Sequence, residues 1–560
     1  MALIHRVCTN YCPLLNSFYC KHTVNIKRYK SKKSRKLSDS LFAQLVTNYD
    51  TKTFNDIIQF RRNQASRSIL VQLQTYQCID EFKHHCDQYG KILNMFHYIT
   101  KSLYPNFILV EFASSNSIKI INDSVEYMKD VEHIPLETTM LWFRKKDGYT
   151  TSQLEPNNTK KFLHHCLTFP TSASIMKHIN QEAPLSEQMI ELHNLLKFTD
   201  IETRLRFYTA FQLELTFSKL FPTISILPFG SSVTGFGQKG CDLDLVCQIN
   251  NSCRSEISSN LVFHSKPYSF NERHAQKEFL SILASVIHNF IPGTQNIQKI
   301  LEARVPIIKF VNMYTHMQCD LCVTNKIAIR MSEVLFMYGE MDWRVKPLVC
   351  TIRKWAYCRK ITNLTPGRWI TNFSLTLLII FYLQKERVLP PMNTLSFAVG
   401  RDLVGRERYV TSFIQQANLK KKMNEESVSI LLYGFFEYYA TFKFSSCGIC
   451  IQEGKEKSKR ESAPLYIYNP FEPTLNVSRN VNMDSLNYAI VQFKNALSIL
   501  QNAETGTLLN LFGLTQLSAI NNKNVAKINK NNELNNNENN METTNETDTN
   551  ESNKIKQIIK

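Results

Sequence analysis

The chain has 560 residues, 43% of them hydrophobic, and a formal net charge of +18. That length can bury several cores, with three or four structural units as the expectation, and the charge favours a polyanionic partner. The longest strongly apolar run, 375–383, is about half of what a bilayer crossing needs, which excludes a membrane-spanning helix. The 15 cysteines are scattered rather than set in a compact secreted framework.

Nine of the positive charges fall in the first 38 residues, which hold no acid: Arg6, Lys21, Lys27, Arg28, Lys30, Lys32, Lys33, Arg35 and Lys36. A basic, acid-free start with Ser, Thr, Tyr and Leu between the charges resembles a mitochondrial transit peptide. Residues 1–40 are read so, with a basic RNA-binding arm as the alternative. Beyond them, Ser68 to Leu73, Ile92 to Thr100 and Phe107 to Ala113 read as strands. A helix from Ile79 to Tyr89, closed by Gly90, and a short one around Ser117 to Ile121 lie between and after them. The order resembles an RNA-recognition motif, βαββαβ, over 65–145. Its third strand, Asn106 to Phe112, keeps the outer aromatic positions of that motif but carries Leu109 where a stacking aromatic is expected. The domain is therefore a degenerate one, left open between packing on protein and gripping RNA.

From Ser186 the pattern turns helical, with Ala210, Leu213, Phe217 and Leu220 on one face and a stop before Pro222. Ile224 to Phe229 reads as a short buried strand. The loop Gly230-Ser231-Ser232-Val233-Thr234-Gly235-Phe236-Gly237-Gln238-Lys239-Gly240-Cys241 follows and leads into a strand Asp242 to Val246. On a strand, residues i and i+2 share a face, so Asp242 and Asp244 project together while Leu243 and Leu245 point inward. Paired carboxylates call for a hard cation such as Mg²⁺, and Gly230 with Ser231 or Ser232 offers close backbone approach and hydroxyl donors to a phosphate. No Gly-Lys-Ser/Thr follows, so this is not a Walker loop. Val305 to Val311 and Met317 to Val323 read as an antiparallel pair, and Asp320 is its sole acid.

These blocks together resemble the nucleotidyltransferase superfamily that includes DNA polymerase beta and the poly(A) polymerases. The resemblance implies that Asp242, Asp244 and Asp320 are the catalytic residues and hold two Mg²⁺ ions, one activating an RNA 3′-hydroxyl and one escorting the triphosphate, with Mn²⁺ as the alternative. The CxxC pairs Cys319/Cys322 and Cys447/Cys450 have no histidine cluster to complete a zinc site, and Cys319 and Cys322 alternate with core positions as packed thiols.

Further along, Arg344 to Val349 and Ile352 to Ala356 resemble the family segment that places basic side chains near a triphosphate, with Arg353 at a phosphate-binding position and Tyr357 where some relatives have Lys. Trp369 to Leu375 matches the stretch where relatives carry Ser-Tyr. Asn372 and Phe373 stand there, and Phe373 can stack on a base without donating a hydroxyl. An aromatic helix, Gly434 to Phe442, precedes Asn469-Pro470-Phe471-Glu472-Pro473-Thr474-Leu475-Asn476-Val477, which resembles the recognition loop of the poly(A)-polymerase-associated domain. Asn476 can fix a loop or read a base edge. Uridylyl-preferring relatives commonly carry a histidine where Leu475 stands, so Leu475 favours adenine.

The expected fold class is α+β: a mixed-sheet nucleotidyltransferase domain over 186–345, a helical poly(A)-polymerase-associated domain over 346–505, the RNA-recognition-like domain before them, and an Asn-rich, disordered tail over 521–560. The resemblance, closest to the mitochondrial poly(A) polymerases, implies transfer of AMP from ATP to RNA 3′ ends in the mitochondrial matrix, no membrane partner, and a homodimer through the RNA-recognition-like domain. A terminal uridylyltransferase and a catalytically silent RNA-binding adaptor are the alternatives.

Overall fold

The structure is a computed structural model that describes residues 53–74, 79–100, 106–126, 140–144, 164–166, 170–249, 271–363, 365, 367–394, 397–401, 407–411, 424–502 and 506–514. The expected transit segment, 1–40, and the Asn-rich tail, 521–560, lie outside the described residues.

Helix α1 (Phe54–Ser66) enters a sheet built from β1 (Ser68–Leu73), β2 (Ile92–Ile99), β3 (Asn106–Phe112), β4 (Met140–Phe143) and β5 (His164–Cys166), in the order β4-β1-β3-β2-β5. Helices α2 (Ile79–Asp87) and α3 (Ser115–Asp123) cover one face. Strand alternation divides the side chains. Ile69, Val71, Ile108, Val110 and Phe112 pack under Ile79, Phe82, Cys86 and Ile121. Leu70, Tyr98, Phe107 and Leu109 point the other way, into a core shared with Ile201, Leu205 and Tyr208. The face that such a motif offers to RNA is thus covered by a later helix of the chain, over residues 200–218. Two hydrogen bonds tie it down: Leu70 N donates to Tyr208 Oη at 2.9 Å, and Tyr98 Oη donates to the Tyr314 carbonyl at 2.8 Å.

Helices α4 (Ser172–His178) and α5 (Leu185–Leu196) pack within the helical core of the C-terminal half, through Ile175, Met189, Leu192 and Leu196. The stretch from 186 was expected with the sheet domain, yet its apolar stripe is buried on the other side of the cleft. Helix α6 (Asp200–Ser218) opens on a capping box, Thr199 with Glu202. Ala210, Leu213 and Phe217 are buried as expected, but the helix ends at Ser218, and Leu220 beyond its last turn is 57% exposed.

The second sheet contains β6 (Ile224–Pro228), β7 (Leu243–Ile249), β8 (Thr294–Ile300), β9 (Ile307–Asn312) and β10 (Met317–Val323), ordered β6-β7-β10-β9-β8. The one-turn helix α7 (Ser231–Thr234) precedes β7, and α8 (Glu272–Phe290) packs on the sheet through Leu280, Leu283 and Ile287. Cys319 and Cys322 are buried in it. Then come α9 (Lys326–Met341), α10 (Val345–Cys358), α11 (Asn372–Lys385), the hairpin β11 (Phe397–Arg401) and β12 (Glu407–Thr411), α12 (Val428–Thr441), the hairpin β13 (Cys447–Cys450) and β14 (Lys455–Ser458), α13 (Met483–Gln501) and α14 (Leu508–Phe512). Their core centres on Trp355, which stacks on Phe493 at 5.5 Å and meets Phe436 edge-on at 4.7 Å. The apolar run 375–383 is the buried middle of α11. Among the described residues no helix is long and apolar enough to cross a membrane. The chain is α+β, with a mixed sheet and a helical half facing each other across a cleft.

Candidate active site

Strands β7 and β10 run parallel with Asp244 directly opposite Asp320. Asp242 sits one residue before β7, on the same side as Asp244, while Leu243 and Leu245 are fully buried. The Gly-Ser turn closes on this edge. Phe229 N donates to the Asp244 carbonyl at 3.0 Å, and Gly230 turns with φ +61°, where an added Cβ would stand 2.8 Å from Asp244 Oδ2. Both the backbone conformation and the approach of the carboxylate require glycine. Gly230 N donates to Ser332 Oγ at 2.8 Å, and that hydroxyl donates to the Ala328 carbonyl, so α9 fixes the turn.

Burial, with Asp320 and Asp242 close by, pushes the Asp244 carboxyl up to about 7, against the opposing pull of Arg206 and Lys309. Burial raises Asp320 as well, against Lys309. Lys309 projects from β9 opposite Asp320 and places Nζ 3.4 Å from Asp242 Oδ2 and 3.1 Å from Asp320 Oδ1. The second contact is an ion pair off the hydrogen-bonding direction: Oδ2 of Asp320 accepts from Nζ at 3.3 Å, and the buried Oδ1 accepts no hydrogen bond. Among the described residues no three His, Cys, Asp or Glu side chains already form a metal-holding group. The aspartates nevertheless fit a hard divalent ion. They are oxygen donors on one edge, one with an acceptor oxygen to spare, and an ammonium standing between two of them marks a place that favours positive charge.

Arg206 was not singled out from the sequence. It is 3% exposed, lies over the Phe198 ring at 4.1 Å, and donates to Ser232 Oγ at 2.9 Å and to the carbonyls of Asp242 at 3.0 Å and Cys241 at 2.6 Å. One guanidinium thus joins the Gly-Ser turn to the start of β7. A signal was present: an arginine inside the run Leu205 to Tyr208, buried throughout, needs a built set of acceptors.

Asp242 and Asp244 of this edge belong to the floor of a cavity of about 1010 Å³, while Asp320 beside them is not among its lining residues. Gly230, Ser231, Asp242, Asp244, Arg353, Asn372, Phe373 and Leu475 line it, as do Lys309, Asn469 and Glu472. Two expected nucleotide contacts lie elsewhere. Ser232 is buried with its hydroxyl accepting from Arg206, so it braces the turn. Asn476 is 3% exposed; it donates to the Leu465 carbonyl and accepts from Ile467 N, Ser478 N and Ser478 Oγ. Of the two uses open to its amide, it serves the first, fixing the loop. The asparagine that reaches the cleft is Asn469, whose Oδ1 accepts from Phe471 N at 3.0 Å and Glu472 N at 3.3 Å and shapes the turn that presents Leu475. Of the basic segment, Arg344 pairs with Asp342 at 2.7 Å and Lys346 with Glu340, which leaves Arg353 on the cleft wall. Arg353 donates to the Phe236 carbonyl at 2.7 Å, and its buried Nε has no partner. Phe373, on the first turn of α11 behind the Thr371 cap, is 38% exposed to the cleft. Arg304 and Glu472 pair at 3.0 Å between the sheet half and the recognition loop.

Residues 185–340 match the family model described as poly(A) RNA polymerase, mitochondrial-like, central palm domain. Residues 427–475 match that of the Cid1 family poly A polymerase, and 53–126 that of the RL domain. The chain is 33% identical over 466 residues to the mitochondrial poly(A) RNA polymerase of Drosophila melanogaster, covering 80% of this chain and 76% of the relative. It is also similar to the crystal structure of mtPAP in complex with ATPgammaS, with a TM-score of 0.72 and 31% identity, over 83% of this chain and 99% of that one. A crystal structure of mtPAP in complex with UTP matches with the same scores and coverage.

Proposed function

The chain belongs to the mitochondrial poly(A) RNA polymerase family, and from that premise we propose how its cleft works. The protein is a polynucleotide adenylyltransferase of mitochondria that adds AMP from ATP to RNA 3′-hydroxyls without a template. The observation that carries the assignment to this cleft is the shared register of Asp244 and Asp320 on parallel strands, with Asp242 two residues before Asp244 and a Gly-Ser turn closed on the same edge. In this reading Asp242, Asp244 and Asp320 hold Mg²⁺, with Mn²⁺ as the alternative; when bound, the ion would lower the pKa of the RNA hydroxyl and neutralise charge on the triphosphate.

The rest falls to the chain's own groups. The RNA 3′ oxygen forms a bond to the α-phosphorus while the bond from that phosphorus to the bridging oxygen of pyrophosphate breaks, the electron pair leaving with pyrophosphate. The hydroxyl proton passes to a carboxylate of the edge, where Asp242 and Asp244 line the cleft. Gly230 and Ser231 lie where the triphosphate must run between turn and edge, and Arg353 supplies positive charge on the wall above. Phe373 stacks on the base and Leu475 meets its edge. No side-chain nucleophile is needed, because in-line transfer rests on positioning and charge stabilisation.

The division into a sheet domain, 186–345, and a helical domain, 346–505, is supported by the central palm family model, which matches residues 185–340, while α5 and part of α9 lend their apolar side chains to the helical core. A homodimer through the N-terminal domain is supported by Trp142, 47% exposed on the edge strand β4, and sedimentation tests it. Uridylyl transfer is the second reading. A similar mtPAP is crystallised with UTP as well as with ATPgammaS, and against it stands Leu475, which offers uracil no polar contact. Primer extension with each of the four ribonucleotides and Mg²⁺ decides. Adenosine tails are expected; preferential uridine addition, or no extension, overturns the proposal.

A further inference from the structure

Lys309 has a position that the reaction as described does not use. It stands in β9 directly across from Asp320 in β10, and its Nζ reaches two of the three aspartates of the edge, at 3.4 Å from Asp242 Oδ2 and 3.1 Å from Asp320 Oδ1. Its side chain is one-third exposed and lines the cleft. The other cation of the floor, Arg206, is directed at the Ser232 hydroxyl and the carbonyls of Cys241 and Asp242, so the cation in direct contact with the Asp242 and Asp320 carboxylates is the lysine.

A compact ammonium on a flexible four-carbon stem is suited to this and is also able to leave. Mg²⁺ takes oxygen ligands at roughly 2.0–2.1 Å. An ion bound to Asp242 and Asp320 would therefore claim the space beside the oxygens that Nζ now contacts, and like charges at that separation repel.

We propose that Lys309 is a tethered substitute cation: it holds the Asp242 and Asp320 side chains in place before the divalent ion binds, and yields the position when the ion enters. The inference rests on the reading that these aspartates hold the ion. Lys309 thereby weakens ion binding to the free chain, and the stem lets Nζ swing into the cleft, where the charge it releases becomes available to the phosphates of an incoming nucleotide. It is a positioning residue, acting through the two carboxylates.

The test uses the nucleotide-free full chain and Mn²⁺ followed by electron paramagnetic resonance. Lys309→Met is expected to bind Mn²⁺ about tenfold more tightly than the unaltered chain, because a unit charge a few ångströms from the site is removed. Lys309→Arg, which keeps the charge, is expected to stay near the unaltered chain. Thermal unfolding supplies a second readout. With chelator, Lys309→Met should melt below the unaltered chain, and saturating Mn²⁺ should close that gap. Equal or weaker Mn²⁺ binding by Lys309→Met, or a melting deficit the same with and without Mn²⁺, overturns the proposal. Asp320→Asn separates the two levels of the argument. If the unaltered chain binds Mn²⁺ no better than Asp320→Asn does, the ion-site reading itself fails; if Asp320→Asn loses binding while Lys309→Met leaves it unchanged, only the role of Lys309 fails.

Discussion

Two five-stranded sheets in this molecule each carry an acid within a strand, and the two acids are treated in opposite ways. Glu111 of β3 is 2% exposed, and its carboxylate accepts from Arg67 at 2.9 Å, Arg204 at 2.7 Å and Asn94 at 2.7 Å. Every lobe of charge there has a donor, which makes the group a fastening between the N-terminal domain and α6. Asp244 of β7 is buried and crowded by Asp320 and Asp242, which disfavours its charged form, and Asp320 keeps a buried oxygen without a hydrogen bond. A chain that satisfies one buried acid so fully leaves another unsatisfied only where the deficit is useful. The sheet faces follow the same division. The N-terminal sheet covers its spare face with α6, whereas the catalytic sheet keeps an edge open to the cleft.

The largest effect expected from this contrast is at Asp244. Asp244→Asn should lower primer extension by at least about a thousandfold, the order found when a group stabilising transition-state charge is lost. The same change should raise the melting temperature in chelator, because a repelling carboxylate is gone. The sign follows from proton binding. The folded chain holds a proton up to about pH 7, where the unfolded chain has released it near the ordinary value of 3.8. With chelator, stability therefore falls as pH rises between those values and levels above them, and the asparagine variant should lose that slope. A variant that is both active and less stable would break the contrast.

Glu111→Ala tests the other side and ranks second. Removing Glu111 from this buried charge network costs up to about 3–5 kcal/mol, because Arg204 loses its buried partner and keeps only the half-exposed Asp200 at 2.6 Å. Unfolding by urea should register that loss, while turnover per folded molecule stays unchanged. A loss of turnover with stability intact would give Glu111 a part in the chemistry.

The floor of the site was readable in sequence because strand alternation is a local rule: Asp242 and Asp244 two apart, and Asp320 alone in an apolar strand, need no partner to be recognised. What depended on distant partners was not readable. Lys309 acquires its meaning only when β9 and β10 pair in the register that sets it against Asp320. Asn469 and Asn476 are equal candidates as residues, and the loop's own hydrogen bonds decide which one turns inward. The N-terminal strands were legible, but which surface covers Leu70, Phe107 and Leu109 was not, since the covering residues lie about a hundred positions further on.

That cover supplies the third prediction. Leu109→Phe would restore the aromatic that an RNA-recognition motif uses for stacking, but here it enters a closed core and should destabilise by roughly 1–3 kcal/mol through overpacking. RNA affinity, measured by filter binding, should not rise. A gain in RNA affinity would mean that the sheet face opens in solution, and the comparison of covered and open sheets would fail.

The smallest effect concerns a surface that neither sheet supplies. In the proposed reading base choice comes from the wall opposite the carboxylates, where Phe373 and Leu475 line the cleft. A ring stacks on any base, so Phe373→Ala should weaken all four nucleotides together, by roughly 1–3 kcal/mol. Leu475 is held by the loop's backbone, its N–H donating to the Glu472 carbonyl at 2.8 Å and its carbonyl accepting from Asn469 N at 3.1 Å. A substitution there should change the side chain without moving the turn. Leu475→His puts a hydrogen-bonding ring where an apolar side chain now lines the cleft, and should raise use of UTP relative to ATP by several-fold, within the roughly 0.5–1.5 kcal/mol that one added hydrogen bond contributes. The ratio of kcat/KM values for the two nucleotides measures it. An unchanged ratio would move discrimination to Asn469, Glu472 or Asn372, the polar groups that remain around the base.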